Sequence, residues 1–425
     1  MLADSAVLPQ GSNVRGHCVS DEAIPAAAPV RGARRTEAVE SHAAFIRGML
    51  AATRDPLAAA TLATGIGRAL DGEALRQLIE RERVGPLLHR ALRGNAVLSP
   101  ETCATLRDAY RATAMRNLLL LNALRSVLER LAADGIPTIV LKGAALAQPV
   151  YGSLALRPMS DLDILVRRRD IGRARAIAED LGFRPAALET HSGALAEYEN
   201  ALAFTKPDVV RIDLDVHWSL VDSPFYQRKL SMAWFWASAR VQPLGGLSAA
   251  TLGPEALLLH LCAHLMLHHR GAGLLWWNDI AELLHAESAL DWDQAFERCR
   301  ECQLLLPMRE ALTHLAAEWR APIPSDALHR FADAHPQRDE VAVFNRLRVP
   351  AAAGRRFWTD LRSLANWRQR LRFARTHLLP SATYMQSRYG IRRRWLVPMY
   401  YPYRWLRGAR GAFGGKLNDY RRVSS

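Results

Sequence analysis

Long hydrophobic runs are missing from this chain: no apolar stretch reaches the roughly 18–20 residues that a bilayer-crossing helix requires. The start also lacks a basic stretch followed by an apolar block. Met1-Leu2-Ala3-Asp4-Ser5 stands there instead, which argues against a secretory signal. Cysteine is scarce. Five residues (Cys18, Cys103, Cys262, Cys299 and Cys302) among 425 make no disulfide framework, and a reducing cytoplasm is the expected compartment. Acids are nearly absent from one segment, since residues 351–425 carry 17 Arg or Lys against only Asp360 and Asp419. The formal net charge of +14 therefore belongs to that segment, and the first 350 residues sum to −1. A nucleic-acid binder that is basic over its whole surface is excluded by this distribution.

What is present is ordinary globular composition, 49% hydrophobic and 23% charged, in a chain too long for one compact unit to be the default. Residues 1–40 mix Ala, Pro, Gly, Ser and Arg without a period and read as a disordered tail. Residues 41–135 read as a helical lead-in. Leu120, Leu124, Val127, Leu128 and Leu131 form one stripe there, with Gly135 as the stop. Residues 136–250 change texture. Strands are expected over 137–142, 161–166, 201–205 and 209–217, with a short helix over 144–151. Asp170 is placed to cap a helix whose stripe is Ile171, Ala174, Ile177, Ala178 and Leu181. Residues 251–350 return to helices, over 255–269, 274–287, 292–301 and 307–318. The fold class expected is α+β, a small mixed sheet embedded in N- and C-terminal helical segments.

The acidic pairs carry the chemistry. On a strand alternate residues share a face, so Asp161 and Asp163 project side by side. Two like charges so placed are costly unless a cation neutralises them, and Mg²⁺ takes one or two carboxylates together with phosphate oxygens. Asp213-Leu214-Asp215 repeats the pattern on another expected strand. If the two strands are neighbours, three carboxylates converge on a two-metal site. The bland alternative is a pair of solvated strand ends, but Ile164-Leu165-Val166 marks a central strand. Lys142, ending an apolar strand, and Arg157 are candidate phosphate contacts. Ser160 either orients Asp161 or caps the turn.

Other constellations read more plainly. His260, His264 and His268 recur at i, i+4, i+8 and share a helix face, which reads as a packed cleft wall rather than a zinc site. His217 shares the strand face of Asp215 and reads as structural, with support of the acidic pair as the alternative. Cys299-Arg-Glu-Cys302 lacks the second pair that a structural zinc site needs, and Trp276 and Trp277 read as core or cleft wall. The segment 351–425 interleaves Arg with Trp and Tyr. It reads first as a helical extension folded on the body, then as a contact for an anionic membrane surface, and last as a nucleic-acid grip.

Leu141-Lys142-Gly143-Ala144, Tyr151-Gly152 and Arg157-Pro-Met-Ser160-Asp161-Leu-Asp163-Ile-Leu-Val166 together resemble the bacterial uncharacterised nucleotidyltransferase family of the polymerase-β-like superfamily. Asp213-Leu-Asp215-Val-His217-Trp218 resembles that family's later acidic strand. The segments 260–269, Trp277-Asn-Asp279 and Leu379-Pro380-Ser381-Ala-Thr-Tyr384 resemble its helical half. The resemblance implies a nucleotidyltransferase core at 136–250. It implies Asp161, Asp163 and Asp215 as metal ligands and catalytic residues, with Asp213 the rival for third place. Gly143 matches the glycine that admits nucleotide phosphates, and Lys142, Arg157 and Ser160 would line the nucleotide. Mg²⁺ (or Mn²⁺) and an NTP are the implied cofactor and substrate. The acceptor would be a sugar, a lipid-linked precursor, a peptide or a protein, and the protein would be cytoplasmic, its tail within reach of the inner membrane. The chain departs from the superfamily pattern in the 17 residues between Gly143 and Asp161, a longer interval than usual. That interval motivates the alternative, a catalytically inactive nucleotide-binding or regulatory partner of the same fold.

Overall fold

In a computed structural model of the chain, residues 44, 46–48, 50, 72–92, 99–191, 199–349, 353–364 and 366–408 are described. The tail expected at 1–40 lies outside the described residues. After helical residues at 44, 46–48 and 50, the next described helices are α1 (Gly72–Glu82), α2 (Gly85–Leu92) and the 34-residue α3 (Pro100–Ala133). The sheet region follows as β1 (Thr138–Leu141), α4 (Lys142–Ala147), β2 (Leu162–Val166), α5 (Ile171–Asp180), β3 (Arg184–Pro185), β4 (Ala201–Lys206) and β5 (Ile212–His217). Next are α6 (Pro224–Lys229), α7 (Met232–Ala237), β6 (Arg240–Leu244) and β7 (Leu247–Thr251). The helical half holds α8 (Pro254–Ala263), α9 (Leu274–Ala286), α10 (Trp292–Glu301), α11 (Leu305–Trp319), α12 (Ser325–Asp333) and α13 (Arg338–Arg348). Last come α14 (Ala353–Ser363), α15 (Trp367–Leu378), α16 (Ala382–Tyr389) and a helix over 397–408. No described helix is long and apolar enough to cross a membrane.

Local chemistry explains the best-formed boundaries. Ser99 caps α3 by accepting from Thr102 N, Pro100 occupies its first turn, and Gly135 just beyond its end takes a φ of +67°. Leu120, Leu124, Val127 and Leu131 make the expected buried stripe. At α5 the expectation fails in detail. Asp170 gives no side-chain cap, because its carboxylate faces Arg173 at 3.4 Å and Arg169 at 3.7 Å.

Seven strands form one mixed sheet in the order β3-β4-β5-β2-β1-β7-β6. β2 runs parallel to β5 and β1 parallel to β7, while the remaining neighbours are antiparallel. The β6–β7 hairpin, unforeseen from the sequence, turns on Gly245-Gly246, both at positive φ. Strand alternation divides the core in two. Val140, Leu162, Ile164, Val166, Leu214 and Val216 pack on α3 and α5, whereas Ile139, Leu141 and Leu165 pack toward the helical half. Asp163 has the parity of Leu165, and Asp215 and His217 alternate with Leu214 and Val216. The polar residues of β2 and β5 therefore sit where the sheet meets the helical half.

Candidate active site

Parallel pairing of β2 with β5 sets Leu162 opposite Leu214, Asp163 opposite Asp215 and Leu165 opposite His217. One ligand atom each from Asp163, Asp215 and His217 lies within 4.8 Å of the others, and all three residues are buried. Lys142, just beyond β1, places Nζ 2.8 Å from Asp163 Oδ1, and His217 Nε2 stands 2.8 Å from the same oxygen. The Asn200 amide Nδ2 lies 3.4 Å from both the Ser219 carbonyl and His217 Nδ1. A carbonyl partner requires the NH₂ end of Asn200, so Nδ1 of His217 accepts and its Nε2–H donates to Asp163. Burial on its own would raise the Asp163 carboxyl. The Lys142 charge, followed by the His217 hydrogen bond, outweighs burial and holds it well below the usual carboxylate range.

The cleft beside this group is walled by Arg83, Lys142, Gly143, Asp161, His264 and Trp276, among others. Lys142 has a φ of +47°, a left-handed conformation that costs a non-glycine residue on the order of 1–3 kcal/mol and often marks a functional turn. Asp161 stands at the entry to β2, where the Ser160 hydroxyl donates to its Oδ1 at 3.1 Å. The loop leading there is pinned by α3. Arg116 donates to the Met159 and Ser160 carbonyls at 3.1 and 2.9 Å. The fully buried Asn117 donates to the Leu154 and Arg157 carbonyls at 2.6 and 2.8 Å and accepts from Met159 N.

Arg157 has another engagement. Its Nε and Nη2 donate to the two oxygens of buried Asp279 at 3.2 and 2.7 Å, and Nη1 donates to the Pro158 carbonyl at 2.9 Å. Tyr151 Oη adds a 2.6 Å bond to Asp279 and accepts from Asn278 at 3.0 Å. Burial, followed by the Asp279 charge, raises the Tyr151 hydroxyl far above its ordinary range. This network fastens the loop before β2 to α9. Gly143 lies beneath it, and a Cβ there would meet Arg157 Nη1 at 2.5 Å.

The helix expected over 255–269 breaks at Ala263. Residues His264–His268 form a π-helical turn, closed by His269 N to His264 O at 3.3 Å, which inserts a bulge of the kind frequent at functional sites. His264 faces the cleft, meets His269 Nε2 to Nε2 at 3.0 Å, and stacks beside His268. His269 in turn stacks on Trp276 with ring centroids 3.5 Å apart. Burial drives the His260 imidazole down to about 3, with the Lys142 charge adding to it. Neither ring nitrogen of His260 has a hydrogen-bond partner among the described residues.

A sequence profile of the family described as uncharacterised nucleotidyltransferase matches residues 68–321. The chain belongs to that family. A crystal structure of an antigenic nucleotidyltransferase-like protein from Paracoccidioides brasiliensis is similar over 50% of this chain and 95% of its own, at 14% identity and a TM-score of 0.33. No curated protein matches the chain.

In this nucleotidyltransferase-family chain, the residues singled out from the sequence separate into three groups. Asp163 and Lys142 meet in the cleft lining, with Asp215 buried beside Asp163. Asp161, Ser160 and Gly143 also line the cleft, and Asp161 does not join the group formed by Asp163, Asp215 and His217. Asp213 shares the strand face of Asp215 but pairs outward with Arg211 at 2.9 Å. Arg157, taken from the sequence as a phosphate contact, also lines the cleft, with its Nε and Nη2 engaged by buried Asp279. His217 proves closer to the acidic pair than a structural reading allowed, and its i+2 spacing from Asp215 was the available signal. Asn117 and Asp279 were missed as positioning groups. Cys299 and Cys302 are buried free thiols.

Proposed function

We propose that the chain is a divalent-metal-dependent nucleotidyltransferase of the polymerase-β-like superfamily, moving a nucleoside monophosphate from an NTP to an acceptor. The observation carrying this reading is the in-register pairing of Asp163 with Asp215 on adjacent parallel strands, where Asp163 lines a cleft and Asp215 is buried beside it. Two buried carboxylates so close call for a cation between them, and their oxygens suit Mg²⁺ or Mn²⁺. Asp163 and Asp215 would hold the ion, with Asp161 reaching in from the cleft wall. His217 spends its Nε2–H in orienting Asp163. Once bound, the ion neutralises the triphosphate and stabilises the departing pyrophosphate.

Lys142 answers phosphate charge from the β1 end, and Gly143 and Ser160 line the same cleft. Asp215 takes the acceptor proton on a carboxylate oxygen as the acceptor–phosphorus bond forms and the bond to pyrophosphate breaks. Residues 136–250 supply this chemistry, and the helices of 251–350 close the cleft and select the acceptor, whether sugar, lipid-linked precursor, peptide or protein. The test is incubation with α-labelled NTPs, Mg²⁺ or Mn²⁺ and a cell extract. Label passes to an acceptor with the wild type and not with Asp163→Ala.

One contact favours a second reading, nucleotide binding without transfer by a regulatory partner. Lys142 Nζ sits on Asp163 Oδ1, where an ion would bind. Under that reading the wild type retains labelled NTP and labels nothing.

A further inference from the structure

Residues 353–408 hold 13 arginines, no lysine and the single acid Asp360. They form a built surface. Met385, Ile391 and Val397 make a small core with Tyr384, Tyr389, Tyr400 and Tyr401 packed on it. Ser381 N ties the segment to the body through the Thr190 carbonyl at 2.7 Å. The helix over 397–408 is stapled to the end of α15. Trp405 Nε1 donates to Leu378 O at 2.7 Å, Arg404 to His377 O at 3.3 Å, and Tyr401 Oη to Pro380 O at 2.6 Å.

Each of these helices turns an apolar stripe outward. On α15, Trp367, Leu371 and Leu378 recur at i, i+4 and i+11, opposite buried Phe373 and Thr376. On the last helix Met399, Tyr403 and Leu406 recur at i, i+4 and i+7, with Trp395 one turn before them. Trp367, Leu371, Met399 and Leu406 are 68, 62, 69 and 64% exposed. The hydrogen bond from Trp405 to the Leu378 carbonyl brings the end of α15 beside the last helix. Exposed Arg392, Arg393 and Arg394 sit beside Trp395, and exposed Arg368 and Arg370 beside Trp367.

We infer that this surface docks on an anionic phospholipid bilayer. The charge, 13 arginines against Asp360, is strongly positive and matches a negative leaflet. The rings suit the headgroup layer, and the aliphatic tips of Leu371, Leu378, Met399 and Leu406 gain by entering the acyl boundary. A nucleic acid would answer the arginines and rings but offers nothing to the exposed leucines and methionine. The inference stands apart from the chemistry assigned to the cleft.

Vesicle co-sedimentation of the full chain tests it. Phosphatidylcholine vesicles are compared with phosphatidylcholine–phosphatidylglycerol vesicles at low and high salt. Three proteins are used: wild type, Leu371→Ser/Met399→Ser/Leu406→Ser, and Arg392→Gln/Arg393→Gln/Arg394→Gln. Wild type is expected to sediment with the anionic vesicles and to be weakened by salt. The arginine variant should lose roughly 100-fold in partitioning, at about one kcal/mol per arginine near the surface. The serine variant should lose at least as much, with its thermal melt unchanged because all three sites are exposed. Failure to bind anionic vesicles overturns the inference, as does binding that the serine variant retains in full. Tighter capture of a single-stranded RNA oligonucleotide, indifferent to the serine substitutions, or self-association in place of vesicle binding, also overturns it.

Discussion

At the scale of single residues, Asp163 and Arg157 are buried charges held by named partners, and removing one partner exposes the cost. Arg157 and Asp279 are both buried, so Arg157→Ala strands a carboxylate whose remaining hydrogen-bond partner among the described residues is Tyr151. Losing one partner of such a pair costs about 3–5 kcal/mol, whereas replacing the set by apolar residues is far milder. Chemical denaturation should show that loss for Arg157→Ala and recovery of most of it in Arg157→Met/Asp279→Leu/Tyr151→Phe. Gly143→Ala tests the same lock from below. Its Cβ would strike a guanidinium that Asp279 holds still, so a loss of about 1–3 kcal/mol is expected by the same assay. The sequence marked Asp163, Asp215 and Lys142, because alternation and an apolar flank are local signals. Asp279 was invisible as Arg157's partner, since 122 residues separate them and only tertiary packing brings them together.

Among the elements, legibility followed periodicity. Alternation in Ile212–His217 told one face from the other, and the α3 stripe told helix from loop. The β6–β7 hairpin escaped because Pro243 interrupts β6 and Val241 is exposed, which blurs both strand composition and alternation. Its real signal was Gly245-Gly246. Gly245 has a φ of +61°, and a Cβ there would lie 2.5 Å from Leu121 Cδ1. Gly245→Ala should therefore cost about 1–3 kcal/mol, by strain and overpacking together, and hydrogen exchange should quicken in β7 before β2. The π-helical turn gave no warning for the opposite reason. Every residue from Ala256 to Ala263 is buried, so no polar face existed whose phase could slip visibly at His264.

For the whole molecule, the cleft lies where the two cores meet, so a ligand that bridges its walls must report on global stability. An ion held by Asp163 and Asp215, as proposed, would bind only the folded chain, and at about a hundredfold excess over Kd it would contribute about 2.7 kcal/mol. Thermal melts with Mn²⁺ or Mg²⁺ should accordingly shift upward by a few degrees for the wild type and not for Asp163→Asn or Asp215→Asn. Lys142→Met separates the two functional readings. Without metal it leaves Asp163 facing Asp215 with the His217 hydrogen bond as its remaining support among the described residues, so stability should fall toward the lower end of about 3–5 kcal/mol. With metal, the ion no longer has to displace an ammonium group, and the upward shift should exceed that of the wild type. If Lys142 is instead the permanent occupant of a binding-only site, Lys142→Met should melt early with or without metal. Any wild-type gain would then come from the nucleotide alone.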